Sequence, residues 1–425
     1  EEQAPVFYLA GGPGESGLYD YPFWLYHPLR QQHDIVLVDL RGTGISSPQL
    51  ICITWQTDVC YETLSETVDL SAFSTASLAA DIPIIIEALG YEQVHLYSIS
   101  YGAQVALSVM EQAPHLVKSA IFDAPLPPSI NPNAHIAANF MRALQTLIND
   151  CQADILCSNL YPDMQQVLDS TYQQVGSAPL LYDIYTLNDL DLLIHLHNFL
   201  RQGLVEYIPA IIYEIQNGQT STLEHVLSSP PAAWPDEIYA EAIANYLNRQ
   251  GNTEEILALW ESLPLSNRIT MTQDMFYGEL NEFSQGLYNT IMCREIVPLN
   301  TPDIAISSVF SPELTRAITT IFKWDDMICQ LWPVEHELSR LDYIRPTTPV
   351  LVLYGRYDPT LSPSWIEAFA QSLPQSTLIQ HNGGHGVRLE QRCIWENIII
   401  PFLNSPESAQ TQTCEQSLHW YVSPN

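Results

Sequence analysis

The sequence predicts an α/β fold in which a mostly parallel sheet is flanked by helices and interrupted by a large helical insertion. Short runs of β-branched and aromatic residues alternate with helical stretches at both ends of the chain, as in βαβ units. Between them, apolar residues recur at helical spacing, and the strand pattern resumes afterwards. We therefore predict a core made of residues 1–125 and 346–425, with residues 126–345 inserted as a helical cap.

The individual elements follow from the same patterns. Strands are predicted at residues 6–10, 34–39, 94–99, 118–124, 349–354 and 376–380. Helices of the core are predicted at residues 74–89, 102–112, 363–373 and near 388–403. Helices of the insertion are predicted at residues 137–149, 187–201, 209–216 and 236–248.

Composition narrows the classes of function. The 425 residues carry a formal charge of -33, with 48 acidic against 15 basic residues, and such a surface repels nucleic acids and anionic lipid. We expect no nucleic-acid partner. The acidic surface has two interpretations: it favours cationic substrates, or it only keeps the protein soluble. No apolar run approaches the roughly 20 residues that a membrane span needs, so none is expected.

The cysteines indicate an oxidising compartment. There are eight of them, in loose sequential pairs and without the C-x-x-C spacing of a zinc site, which favours disulfides over a metal site. No metal or other cofactor is expected. The chain begins at Glu1 without a methionine or an apolar leader, and we interpret it as a processed chain whose export signal has been removed. A secreted or periplasmic location follows as an expectation.

A candidate nucleophile lies in YSISYGAQ, residues 97–104, where a predicted strand runs into a predicted helix. A nucleophile elbow needs small residues two before and two after the nucleophile, because strand and helix pass closely there. With Ser100 as nucleophile these flanks are Ser98 and Gly102, whereas with Ser98 they would be Leu96 and Ser100. The sequence therefore predicts Ser100 as the nucleophile and Ser98 as a spacer in place of the usual glycine.

The glycine-rich stretch at residues 11–14, GGPG, directly follows the first predicted strand. Acyl transfer needs backbone N–H groups aimed at the developing oxyanion, and glycines leave those amides uncovered. We predict that the amides of Gly12 and Tyr101, the residue after the nucleophile, form the oxyanion hole.

Two further residues complete a catalytic triad. Asp358 follows the predicted strand at 349–354, and His385 lies between glycines in a loop after the predicted strand at 376–380. The chain order of Ser100, Asp358 and His385 is that of α/β-hydrolases, and each follows a predicted strand. His381 lacks the glycine setting and is expected to be a surface or supporting residue.

These stretches resemble the α/β-hydrolase group of serine exopeptidases, which includes proline iminopeptidase and, more similar still, the secreted bacterial tripeptidyl aminopeptidases. Matching segments cover nearly the whole chain, at residues 11–14 with 16–17, 39–44, 100–102, 329–333, 355–359 and 384–386, together with the Cys151 and Cys157 pair before Tyr161-Pro162. The resemblance implies an α/β-hydrolase fold, Ser100 as nucleophile, His385 as general base and acid, and Asp358 as its orienting carboxylate. It also implies a scaffold role for Arg41.

The resemblance further implies the disulfide pairs Cys151–Cys157, Cys293–Cys329 and Cys393–Cys414, and leaves Cys52 with Cys60. The sequence departs from the family at Ala10, where proline iminopeptidases often have histidine, and at Ser98. Family members also carry a strand pair before the GGPG strand, so either the chain is trimmed or the sheet is shorter by two strands.

These residues predict a serine aminopeptidase that attacks a peptide carbonyl near the substrate's amino terminus and forms an acyl-enzyme. Recognition of the free amine calls for acidic residues, and Glu295 and Glu15 are the candidates. Alternatives are a carboxylesterase or amidase acting on small esters with the same triad, and a catalytically silent binding protein of the same fold. The sequence does not determine the oligomeric state.

Overall fold

The computed structural model describes residues 3–25, 27–54, 56–182, 185–228, 283–299, 310–322, 327–337, 341, 344–407, 414 and 418–422. The helix predicted at 236–248 lies outside the described residues. The strands in this part of the chain are β1 Val6–Leu9, β2 Ile35–Leu37, β3 Val94–Ile99, β4 Val117–Asp123, β5 Leu180–Tyr182, β6 Tyr185–Leu187, β7 Val350–Gly355 and β8 Ser376–His381.

The helices in the same part of the chain are α1 Tyr21–Leu25, α2 Thr57–Ser65, α3 Thr75–Ala88, α4 Gly102–Gln112, α5 Ile136–Ala153, α6 Ile155–Leu160, α7 Met164–Ser177, α8 Asp189–Gln202, α9 Ile208–Gln216, α10 Ser221–Ser228, α11 Gln285–Ile291, α12 Pro312–Ile321, α13 Met327–Leu331, α14 Pro363–Ser372, α15 Arg392–Ile394 and α16 Ile400–Asn404. One π-helical segment, Met292–Ile296, follows α11, and another, Trp395–Ile399, joins α15 to α16.

Six strands belong to one sheet, in the order β2-β1-β3-β4-β7-β8. β1 runs parallel to both β2 and β3, and β7 runs parallel to β8. Every residue of β1 and of β7 is buried, as expected for parallel strands that are covered on both faces. The predicted α/β fold, with a mostly parallel sheet flanked by helices, is confirmed.

The boundaries differ from the prediction in a few places. The last helix begins at Arg392 rather than 388, because the backbone N–H of Arg388 is tied to the side chain of Gln391 in a turn. The antiparallel pair of β5 and β6 was not predicted, since three-residue strands are too short to show an alternating pattern.

The described residues divide into two compact units. The first contains residues 3–120, 283–295 and 327–337, and here α3 packs against α4 and β1 against β3. The second contains residues 121–228, 296–299, 310–322 and the described residues from 341 onward, and an apolar cluster in it joins α5, α7, α8 and α9. The predicted boundaries at residues 125 and 345 stay a prediction.

The four predicted disulfides are confirmed. Cys52 bonds Cys60, Cys151 bonds Cys157, Cys293 bonds Cys329 and Cys393 bonds Cys414. They account for all eight cysteines of the chain. Of the helices that the structure describes, none combines the length and the apolar character needed to cross a membrane.

Buried histidines predict that stability falls at acid pH. Burial lowers the pKa of His27 and His95 to about 3, and that of His197 and His381 to about 4, from 6.5. Below pH 6.5 the unfolded chain therefore binds protons that the folded chain does not. The stabilisation is complete above that pH and is lost as the pH falls toward 4, at about 1.4 kcal/mol per pH unit for each histidine.

Denaturant titrations between pH 7 and pH 4 measure this effect. The free energy of unfolding should fall with decreasing pH, and His95→Gln should reduce the slope by the equivalent of one proton. An unfolding free energy that does not change over this range would contradict the prediction.

Candidate active site

Ser100 occupies the turn between β3 and α4. Its φ is 53°, in the left-handed region that side chains other than glycine rarely adopt. The strand ends at Ile99 and the helix begins at Gly102, so the turn contains only two residues. A Cβ on Gly102 would lie 2.3 Å from the carbonyl oxygen of Leu9, so α4 passes β1 more closely than any side chain permits. This is the geometry of a nucleophile elbow.

Ser98 has a different setting. It lies inside β3, paired in register with Leu9 of β1, and is fully buried. Ser100 is half-buried at the carboxyl end of the strand. The two serines are therefore not equivalent, and the strained residue is the one that the sequence predicts as nucleophile.

The glycine-rich loop lies beside Ser100. A Cβ on Gly11 would lie 3.1 Å from the Cβ of Ser100 and 2.9 Å from Oε2 of Glu15. The side chains of Ser100 and Glu15 therefore both lie next to Gly11. Gly12 has a φ of 103°, which only glycine adopts without strain. Glycines at these positions let backbone amides approach Ser100 without an intervening side chain.

Two hydrogen-bonded supports hold this loop. Asp39, which leaves the end of β2, accepts hydrogen bonds from the Ser16 hydroxyl at 2.7 Å and from the Leu18 amide at 3.1 Å. From the other side, the Ser284 amide at the start of α11 donates to the carbonyl of Gly14 at 2.8 Å. Arg41 pairs with Asp81 instead, in keeping with a scaffold role.

Glu295 is linked to Tyr101 through one threonine. Its carboxylate is 4% exposed and accepts hydrogen bonds from the amide of Thr75, at 2.7 Å, and from the Thr75 hydroxyl. That hydroxyl also lies 2.7 Å from the Tyr101 hydroxyl. Burial raises the pKa of Glu295, and the hydrogen bonds from Thr75 partly offset this increase. Glu295 thus caps the amino terminus of α3 behind the residue that follows Ser100.

Asp358 and His385 form a hydrogen-bonded pair in the second unit. Asp358 Oδ2 lies 2.7 Å from His385 Nδ1, and the two side chains are 0% and 4% exposed. The other oxygen of Asp358 accepts from the amides of Thr360 at 2.7 Å and Leu361 at 3.1 Å. Burial alone would raise the pKa of Asp358, but His385 and these donors outweigh it and hold that pKa below its usual value. This pair can orient an imidazole and stabilise its protonated form.

The loop that carries His385 is held by the carboxyl end of α8. The His385 amide donates to the carbonyl of Arg201 at 2.7 Å. A Cβ on Gly384 would lie 2.0 Å from the carbonyl oxygen of Leu200, and one on Gly355 would lie 1.9 Å from that of Gly384. Glycines are therefore required where the histidine loop meets both α8 and the end of β7.

The predicted site residues thus fall into two groups. Gly12, Glu15, Ser100, Tyr101 and Glu295 belong to the first unit, and Asp358 and His385 to the second. His381 is buried, and burial lowers its pKa to about 4, so it is a neutral supporting residue near neutral pH. The hydrogen bonds that helix α5 makes to the loop around Asp358 were not predicted. The only trace in the sequence is the spacing of polar residues on one helix face.

Two models of known families match parts of this chain. A family model described as "alpha/beta hydrolase fold" matches residues 4–161, which include β1 to β4 and Ser100. A second model, described as "TAP-like protein", matches residues 315–414, which include Asp358 and His385. The chain has the α/β-hydrolase fold. The two models together support a place in the α/β-hydrolase superfamily.

One curated protein matches a part of the chain. YuaR of Escherichia coli (strain K12), whose name goes no further than hydrolase, is 28% identical over 141 residues, which is 29% of this chain. The chain spans only 28% of the length of that protein.

Solved α/β-hydrolase structures align along most of the chain. An epoxide hydrolase of Bacillus megaterium is 15% identical, with 95% of this chain and 94% of that one covered and a TM-score of 0.38. An esterase of Exiguobacterium antarcticum is 14% identical, with 95% and 92% covered and a TM-score of 0.39. Likenesses of this strength carry no argument about the substrate.

Proposed function

We propose that this α/β-hydrolase is a serine aminopeptidase that releases residues or short peptides from peptide amino termini through an acyl-enzyme on Ser100. The observation that carries the proposal is the backbone of Ser100, held at a φ of 53° between β3 and α4. A residue in such a conformation costs on the order of 1–3 kcal/mol, and strain of this kind concentrates at active sites. A serine held there presents its hydroxyl at the carboxyl edge of the sheet, as a nucleophile requires.

The proposed chemistry assigns one role to each residue. His385 takes the proton from Ser100 Oγ as the oxygen attacks the peptide carbonyl carbon, and the amides of Gly12 and Tyr101 donate to the resulting oxyanion. The intermediate collapses, and His385 passes its proton to the leaving amine. Water then attacks the acyl-enzyme with His385 as base, which releases the acid and restores Ser100. Asp358, at 2.7 Å from Nδ1, fixes the tautomer and stabilises the imidazolium.

Amine recognition is assigned to Glu15. Its carboxylate oxygen and the Cβ of Ser100 approach the same point beside Gly11, so an ammonium group near the scissile carbonyl would come within reach of the carboxylate. Glu295 is the second candidate, although both of its oxygens already accept hydrogen bonds from Thr75. The formal charge of -33 adds a long-range attraction for cationic peptide termini.

Two coarser observations support the setting of this activity. The match of the TAP-like model to residues 315–414 agrees with the resemblance to tripeptidyl aminopeptidases. Four disulfides are compatible with an oxidising compartment, and we place the enzyme outside the cytoplasm, as a secreted or periplasmic protein.

Matched substrates test the proposal. An aminoacyl chromogenic amide, whose amine lies on the same residue as the scissile carbonyl, would be assayed with wild type and Glu15→Gln, beside its N-acetylated form and a short-chain ester. Wild type should prefer the free-amine amide, and Glu15→Gln should lower kcat/KM for it by about 10- to 100-fold, the worth of one hydrogen bond to a charged group. The N-acetylated substrate should be affected less than about 2-fold. Glu92→Gln, which removes an exposed carboxylate, is the matched control.

The alternatives give different results. Ester turnover without amide turnover would replace the peptidase assignment with a carboxylesterase. Equal turnover of free and acetylated amides would contradict amine recognition by Glu15. No turnover of any of these substrates would favour a catalytically silent binding protein.

A further inference from the structure

One face of helix α5 holds the loop that carries Asp358. Arg142 donates to the carbonyl of Arg356 at 3.3 Å and also to the carbonyl of Asp358 itself. Asn139 donates through Nδ2 to the carbonyl of Thr360 at 2.9 Å. Positions 139 and 142 are one helical turn apart, so both side chains reach the loop from the same face. The backbone on both sides of the Asp358 carboxylate is therefore tied to α5.

Asp150, two turns further along α5, makes the second set of contacts. Its carboxylate accepts from Arg356 Nε at 2.7 Å and Nη2 at 2.9 Å, and from the Tyr357 hydroxyl at 2.7 Å. The Asp150 side chain thus accepts hydrogen bonds from both residues that directly precede Asp358. Burial alone would raise the pKa of Asp150, but the hydrogen bonds from Arg356 and Tyr357 outweigh it and lower that pKa.

The ion pair of Arg356 and Asp150 is suited to positioning the loop rather than to stabilising the fold. The side chains of Arg356 and Asp150 are 39% and 26% exposed, and ion pairs in such settings contribute little to the free energy of folding. Their geometry, in contrast, is demanding, because a bidentate pair with an added hydroxyl fixes the direction of two consecutive side chains.

The orientation of Asp358 depends on this backbone. One carboxylate oxygen is bonded to the amides of Thr360 and Leu361, so the carboxylate turns with the loop. The other oxygen must remain 2.7 Å from His385 Nδ1. A displacement of the loop by about 1 Å would break that bond, and errors of this size cost roughly 100-fold in rate.

We propose that Asp150 is a positioning residue for the Asp358–His385 pair and acts through Arg356 and Tyr357. The helical insertion then takes part in setting the catalytic rate. This inference rests on the proposed function, in which Asp358 orients the catalytic histidine.

A double-mutant cycle tests the inference. Steady-state kcat and KM would be measured for wild type, Asp150→Asn, Asp358→Asn and the double variant, with the amide or ester that wild type turns over fastest. Asp150→Asn should lower kcat by about 10-fold with KM unchanged within 2-fold. In the Asp358→Asn background, the same change should have no further effect on kcat, because the carboxylate it positions is already gone.

Two variants accompany the cycle. Asn149→Ala, on the exposed side of the same turn, should leave kcat within 2-fold of wild type. Tyr357→Phe removes only the hydroxyl that donates to Asp150. If Asp150→Asn does not fold, this variant tests the positioning role of Asp150 in its place. It should lower kcat by about 3-fold in wild type and not at all in the Asp358→Asn background.

The outcomes separate the two claims. The positioning role is overturned if Asp150→Asn keeps full kcat, or if it lowers kcat by the same factor in both backgrounds, as a merely structural residue would. Should Asp358→Asn itself retain wild-type kcat, the proposed triad fails. Should Asp358→Asn lose activity while Asp150→Asn keeps it, only the positioning role fails.

Discussion

Replacing Ser100 by alanine should lower kcat by about 10⁴- to 10⁶-fold, with little change in KM for the same substrate. In the proposed mechanism the Ser100 oxygen forms the bond of the acyl-enzyme, and alanine has no atom that can form it. The fold should survive, because Ser100 is half-buried and alanine keeps its Cβ. Activity with a chromogenic amide or ester, together with a thermal unfolding curve, measures both effects.

Ser98→Gly is the matched control for that variant. It removes the other serine hydroxyl of the stretch and restores the residue that elbows usually carry at this position. Catalysis should be largely intact, with a loss of stability of about 1 kcal/mol from glycine inside β3. Retained activity in Ser100→Ala, or complete loss in Ser98→Gly, would mean that the assignment of the two serines is wrong.

Replacing Gly384 by alanine should lower kcat/KM by at least about 100-fold. The new Cβ would lie 2.0 Å from the carbonyl oxygen of Leu200 and 2.4 Å from that of Arg201, both of which are backbone atoms. The loop must therefore move away from α8, and the hydrogen bond from the His385 amide to Arg201 must break. The imidazole next to it would lose its alignment with Asp358.

A second glycine distinguishes this local effect from general sensitivity to alanine. Gly176 lies within α7, where a Cβ would meet Asp189 at an ordinary 3.4 Å. Gly176→Ala should leave kcat/KM unchanged and raise the free energy of unfolding by up to about 1 kcal/mol, the difference in helix propensity. Full activity of Gly384→Ala would contradict the role given to α8.

Much of the fold could be predicted because the decisive patterns are local. β3 and α4 begin and end at the predicted residues, since a buried apolar run there meets a glycine that opens an apolar helix. Asp39 illustrates the opposite case. Its chain leaves β2 early so that the carboxylate can accept hydrogen bonds from Ser16 and Leu18, which lie more than 20 positions before it. Contacts of this kind have no signature in a short window of sequence.

The same reason explains what was missed around the candidate site. Ser100, Asp358 and His385 could be predicted because each follows a strand, and because small residues flank Ser100 and His385 in the sequence. These are local features. The contacts of Asp150 with Arg356 and Tyr357, in contrast, join positions 206 and 207 residues apart. Only the folded chain brings these residues together, and the spacing of polar residues on α5 does not indicate which loop that face contacts.

Covalent labelling with a fluorophosphonate tests the central claim most directly, because the reagent forms a stable bond with an activated serine. Intact-mass analysis and peptide mapping of the labelled protein should show one adduct per chain, located on Ser100, and none in Ser100→Ala. An adduct on Ser98, or the absence of any adduct in an active preparation, would contradict the assignment of Ser100 as nucleophile.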